Sequence, residues 1–157
     1  MKKRLDILAL CIAIPLFVGT ISGYITRNSM EVFQQLNKPP LSPPGWLFPI
    51  VWTILFILMG IASYLVIVSG ENQKDINKAI TVYAIQLIVN FFWSIFFFNF
   101  GWYLFSFLWL VLLWVLIIIT IILFYRISKP AAYLKIPYLF WVTFAGYLNL
   151  SIYLLNK

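Results

Sequence analysis

Side chains that could do chemistry are few in this chain, and most are uncharged. In QLIVNFFW, Gln86 and Asn90 stand four residues apart and Trp93 three further on. That spacing puts two amides and an indole on one helical face. An amide in hydrocarbon is costly without a partner, so this face must look toward protein. Trp141, Ala145, Leu148 and Asn149 make a second stripe, where Ala145 and Gly146 leave room beside the indole. Trp52, Phe56, Met59, Gly60 and Ser63 make a third. Each residue taken alone is explained as well by packing between helices, with amides bonded across the interface. Three stripes together offer an apolar pocket with a few convergent polar groups, which is what a hydrophobic ligand needs.

The same inventory excludes other chemistry. The four acids, Asp6, Glu31, Glu71 and Asp75, all fall at the ends of apolar runs or in polar turns. No carboxylate pair is placed for acid–base work inside a run, and no Ser–His or Cys–His pair exists. Cys11 is the one cysteine and histidine is absent, so neither an internal disulfide nor a metal site built on Cys or His is expected. No charge inside a run marks an ion or proton path. No cofactor is expected.

These stripes need elements to carry them. The 157 residues are 64% hydrophobic, 20% aromatic and 10% charged, more apolar surface than a water-soluble domain of this size can bury. The apolar runs are continuous rather than alternating, which predicts an all-α membrane bundle and not a barrel. A hydrocarbon core of about 30 Å takes about 20 residues of helix. Five runs qualify, at residues 5–26, 46–69, 79–100, 102–125 and 136–155, in one domain over 1–157. The third and fourth are expected to meet in a tight antiparallel hairpin at Asn99–Gly101. KKRLDILALCIAIPLFVGTISG has the basic start of a secretory signal, but its apolar part is too long and Asp6 interrupts it, so it reads as the first span. Gly19-x-x-x-Gly23 in that span marks a close helix–helix contact, in the bundle or at a dimer seam. No internal repeat of the inverted-transporter kind is visible.

The net charge of +7 would suit nucleic acid in a soluble protein; here the basic residues lie between spans, so they report topology and no nucleic-acid partner is expected. Lys2, Lys3, Arg4, Lys74, Lys78, Arg126, Lys129 and Lys135 fall on one side and Arg27, Lys38 and Lys157 on the other. The expected arrangement is therefore a multi-pass protein of the cell membrane, with the N-terminus cytoplasmic and the C-terminus outside. The first loop then lies outside as well. Its segment KPPLSPPGWLFPIVW is stiff, because each proline fixes φ and holds the preceding residue extended. It reads as a proline-rich lid over the bundle mouth, with Trp46 and Trp52 beneath or beside it.

KPPLSPPGWLFPIVWTILFILMGIASYLV, QLIVNFFWSIFFF and IPYLFWVTFAGYLNLSIYLLN together resemble the TspO/MBR family of tryptophan-rich sensory proteins, related to the mitochondrial translocator protein, across nearly the whole chain. The resemblance implies five transmembrane helices and a ligand cavity under the first loop. It implies binding of porphyrins such as protoporphyrin IX, of isoquinoline and benzodiazepine drugs and, in animals, of cholesterol, in proteins that are commonly homodimers. Transferred to this chain, the family's ligand-binding residues are Phe33, Pro43, Trp52, Phe56, Asn90, Trp93, Trp141 and Ala145. Light-dependent breakdown of protoporphyrin IX would assign the catalytic role to Trp52 and Trp141, since an indole against an excited porphyrin can donate an electron. Two departures stand out: Leu41 where the family pattern KPxWxPP has an aromatic, and Phe33 where a tyrosine is usual. The animal sterol motif has formal matches at Leu150–Lys157 and at Leu123–Lys129, and two matches in one chain show how permissive it is. The competing expectation is a passive or partner-driven transporter of tetrapyrroles or other small apolar molecules.

Overall fold

The computed structural model describes residues 2–157, with side chains described from residue 3 onward. Among the described residues are seven α-helices, and five helical segments are long and apolar enough to cross a membrane. The first, α1 (Lys2–Thr26), runs through a 3-10 turn at Arg27–Ser29 into a short α2 (Met30–Gln35). Then come α3 (Leu47–Ile67) and α4 (Gln73–Ser94), whose last turn widens into a π-helix at Ile95–Asn99. The chain ends with α5 (Tyr103–Ile127), a short α6 (Lys129–Leu134) and α7 (Ile136–Asn156).

Local chemistry sets the joints. Gly70 and Gly101 have φ of +79° and +64°, a left-handed backbone open to glycine at little cost, and each turns the chain between two spans. The Asn72 side chain accepts from Lys74 N–H at 2.8 Å and caps α4. That cap starts α4 at Gln73 rather than at Ala79, where the apolar run begins. Ser128 caps α6 with Pro130 in its first turn, so the expected loop between the last two spans is largely helical. Asn99 ties two spans together at the other end of the bundle: its Nδ2 donates to Ile25 C=O at 3.2 Å and its Oδ1 accepts from Ser29 Oγ at 2.6 Å.

The spans form a ring in which α1 packs between α3 and α4, α5 between α4 and α7, and α6 bridges α5 to α3. Between α3 and α7 the contact is made by rings: Trp141 meets Phe48 at 5.8 Å and Trp52 at 6.5 Å between centroids. Among the glycines, the closest approach to another backbone is at Gly60 of α3, where a Cβ would lie 2.5 Å from Ile12 Cα and 2.7 Å from Cys11 C=O. This contact is what joins α1 to α3. The half of the bundle toward α6 is closed: Met59, Ala62, Val66, Ala79, Leu113, Ile117 and Phe124 are fully buried.

The prolyl segment is pinned at its base. Asn37 N–H donates to Asn156 Oδ1 at 3.0 Å, and Asn156 Nδ2 donates to Asn37 C=O at 2.9 Å, a two-way clamp onto the end of α7. Ser42 N–H donates to Pro39 C=O at 3.2 Å and Leu47 N–H to Pro44 C=O at 3.0 Å, turns that lead into α3.

Candidate ligand cavity

The other half of the bundle, toward α2, is hollow. A cavity of about 340 Å³ lies among α1, α2, α3, α4 and α7. Apolar side chains make most of its wall, and no charged residue lines it among the described residues. Exposed Thr20, Gly23, Pro49 and Thr53 mark its mouth, between the C-terminal half of α1 and the first turns of α3.

Seven of the residues expected from the sequence come together on this wall: Phe33, Trp52, Phe56, Asn90, Trp93, Trp141 and Ala145. Trp52 stacks on Phe56 at 5.5 Å with 28° between planes and meets Trp141 nearly edge-on at 88°. Such pairs add about 0.5–1.5 kcal/mol each beyond their buried area, enough to hold the two indoles in fixed relation. Phe33 is buried against Phe48, Phe97 and Phe98, with ring centroids 5.4–6.1 Å away.

Pro43 does not join them. The segment between α1 and α3 reaches the cavity through Met30 and Phe33 of α2 and through Phe48 and Pro49 at the start of α3, not through Pro39, Pro40, Pro43 or Pro44. Leu41 is 70% exposed and does not line the cavity. The reason is the two-turn helix α2, which the sequence reading merged into the loop. It lies across the end of the ring and takes the covering position expected of the prolines.

Gly19 and Gly23 also line the cavity. A Cβ on Gly19 would collide with the Phe56 ring, whereas one on Gly23 would meet nothing within 4 Å. The small-residue motif of α1 therefore leaves space for the cavity, and the tight helix crossing is made by Gly60.

Three polar groups on the wall differ in how they are satisfied. Trp93 Nε1 donates to Asn149 Oδ1 at 3.0 Å, and Asn149 Nδ2 donates to Tyr103 C=O at 2.8 Å, so this corner is saturated. Asn90 Nδ2 lies 2.6 Å from Tyr138 Oη, in a chain that continues to Gln86 Nε2 at 2.7 Å and from Gln86 Oε1 to Lys135 Nζ at 3.1 Å. Trp141 Nε1 is buried and has no partner. A buried N–H without an acceptor costs about 1–3 kcal/mol, a cost this indole carries within the fold.

Lys135 and Tyr138 were not foreseen as site residues. Lys135 reads as a topology charge in the sequence, yet it is completely buried. Tyr138 stands three residues before Trp141 on the same face of α7, and that spacing was the available signal.

A helical membrane bundle with an aromatic cavity between its spans is the class this structure defines. Comparison with known proteins specifies it further. Residues 11–155 match the TspO/MBR family, and the chain belongs to that family. It is 44% identical over 157 residues to the tryptophan-rich protein TspO of Chlorobaculum tepidum, covering 99% of both chains. It is 37% identical over 142 residues to the tryptophan-rich protein TspO of Archaeoglobus fulgidus, covering 90% of this chain and 91% of that one. The translocator protein of Bos taurus is 33% identical over 141 residues, 87% of this chain and 82% of the bovine one. With five candidate spans and this membership, the chain is a multi-pass membrane protein.

Proposed function

We propose that this protein binds tetrapyrroles such as protoporphyrin IX, and apolar drugs of the isoquinoline and benzodiazepine type, in the cavity between its spans. The observation that carries the reading is the uncharged aromatic wall on which Trp52, Phe56 and Trp141 meet. A flat π-ligand suits this wall, because its rings can stack on Trp52 and Phe56. At about 340 Å³ the cavity sits at the low end for ligand sites, so a macrocycle enters edge-on through the mouth between α1 and α3 with part of it outside.

The second part of the proposal is photochemical. The porphyrin absorbs the light, and Trp52 and Trp141 stand as the electron-donating groups beside it. The closed half beneath the cavity favours binding over passage, because transport through the ring requires that fully buried layer to part. We also propose that the cavity opens toward the outer face of the cell membrane, with the N-terminus cytoplasmic, since the opposite end carries most of the lysines and arginines. We place any homodimer seam away from Gly19 and Gly23, which belong to the cavity.

The test is a dark titration of purified protein with protoporphyrin IX, followed by illumination. Saturable quenching of tryptophan fluorescence at about micromolar ligand is expected. Trp52→Phe and Trp141→Phe together are expected to slow light-driven porphyrin loss while dark binding persists. Unchanged loss in that double variant would remove the photochemical part and leave the binding part standing.

A further inference from the structure

A lysine with no carboxylate beside it lies at the far end of the hydrogen-bonded chain that reaches the cavity. The Lys135 Nζ sits 4.3 Å from the Tyr83 ring centroid, 5.0 Å from that of Phe124 and 5.9 Å from that of Tyr138. Such ring faces are suited to a cation. Among the described residues its hydrogen-bond acceptor is Gln86 Oε1, to which the amine nitrogen donates. This contact decides which way the Gln86 carboxamide points: oxygen to the lysine, nitrogen to Tyr138.

The consequence runs on to Asn90. The hydrogen-bonding neighbours of Tyr138 Oη are the Gln86 and Asn90 carboxamides, at 2.7 and 2.6 Å. With both amide nitrogens turned to it, the hydroxyl accepts twice and its own proton is stranded in a completely buried site. Turning the Asn90 amide by 180° keeps the outline of the side chain and lets Oδ1 accept that proton. Gln86 cannot make the same turn, because Lys135 holds its oxygen. The Asn90 NH₂ is then left facing the cavity as a donor.

We propose that Lys135 is a positioning residue that sets the polarity of the cavity floor: through Gln86 and Tyr138 it makes Asn90 a hydrogen-bond donor and selects ligands that bring a carboxylate to it. The inference rests on the ligand-binding reading above and deepens it, since the propionate of a tetrapyrrole is such a group. Without the lysine the order reverses. Gln86 is free to turn, Tyr138 donates to it, Asn90 NH₂ turns back to Tyr138, and Asn90 Oδ1 faces the cavity and repels an anion.

The test compares wild type with Lys135→Met, a variant of similar length that keeps the box filled. Each is titrated in darkness with protoporphyrin IX and with its dimethyl ester, alongside helicity and thermal midpoint in the same detergent. The free acid is expected to lose about tenfold in affinity, the scale of one charge-assisted hydrogen bond, and the ester less than about threefold. Equal losses for acid and ester, or none for the acid, would overturn the relay. A ligand-free measurement keeps the two readings separable. The ring vibrations that distinguish a donating from an accepting phenol, isolated by subtracting Tyr138→Phe, should be the same in sign for both proteins but shifted, because Tyr138 donates to Asn90 in one and to Gln86 in the other. A hydroxyl that only accepts in the wild type would refute the relay whatever binds. A donating hydroxyl with neither ligand bound would retain the relay and refute the tetrapyrrole reading.

Discussion

The two halves of this bundle are built from similar residues and serve opposite ends. Toward α6, glycine and alanine draw helices together: Gly60 lets α1 and α3 touch backbone to backbone, and Ala62, Ala79, Ala131 and Ala132 are buried at 0–1% exposure. Toward α2, Gly19 is covered by the Phe56 ring, Gly23 faces open space and Ala145 lines the cavity. Polar groups do not divide in this way: Tyr83 Oη in the closed half and Trp141 Nε1 in the hollow half both lack a partner, while Gln86 and Asn149 are bonded on both sides. Small residues mean close packing only where backbone faces them. Where an aromatic or an opening faces them, they mean space.

The largest effect is expected where that difference is most sharply built. Gly60→Ala forces α1 off α3, since Ile12 and Cys11 meet it with backbone atoms that cannot step aside. A loss of about 1–3 kcal/mol is expected, read as a lower thermal midpoint in detergent. Gly23→Ala, at a position with open space, should cost no more than about 1 kcal/mol, and a helix-favouring alanine can even gain. Equal losses at the two glycines would erase the contrast between the halves.

Next is Gln86→Leu, which leaves Lys135 without its acceptor and Tyr138 without one of its two amide neighbours. Tyr138 keeps Asn90, so Lys135 is the group left orphaned, and a loss of no more than about 1–3 kcal/mol is expected in urea or thermal unfolding of the purified protein. Trp141→Phe acts in the reverse sense. It removes a donor that nothing satisfies, so stability should stay within about 0.5 kcal/mol of wild type, and dark binding of protoporphyrin IX should shift by less than about threefold. A large loss of stability there would show that the indole N–H has a protein partner after all. The smallest effect is expected for Leu41→Trp, which restores the family aromatic at an exposed site off the wall; ligand affinity should move by less than about twofold.

Much of this was legible in the sequence because spans in a bilayer obey two loud rules, length and unbroken apolarity. The stripes through Asn90 and Trp93, Trp52 and Phe56, and Trp141 and Ala145 were legible because an amide or an indole at helical spacing must share a face. What escaped was everything decided by partners far apart in the chain. Whether Gly19 or Gly60 makes the tight crossing depends on what stands opposite, backbone in one case and Phe56 in the other. Lys135 looked like a surface charge because its box, Tyr83, Phe124 and Tyr138, comes from three helices. The short α2 was hidden beside a conspicuous run of prolines, so the covering role was assigned to the prolines instead.

If the hollow half is the ligand site, filling it must abolish binding. Ala145→Phe places a ring inside the cavity wall without touching the closed half. Protoporphyrin IX titrated in darkness should quench wild-type tryptophan fluorescence saturably, and should fail to do so in Ala145→Phe with helicity unchanged. Identical binding curves for the two proteins would place the ligand elsewhere and contradict the account.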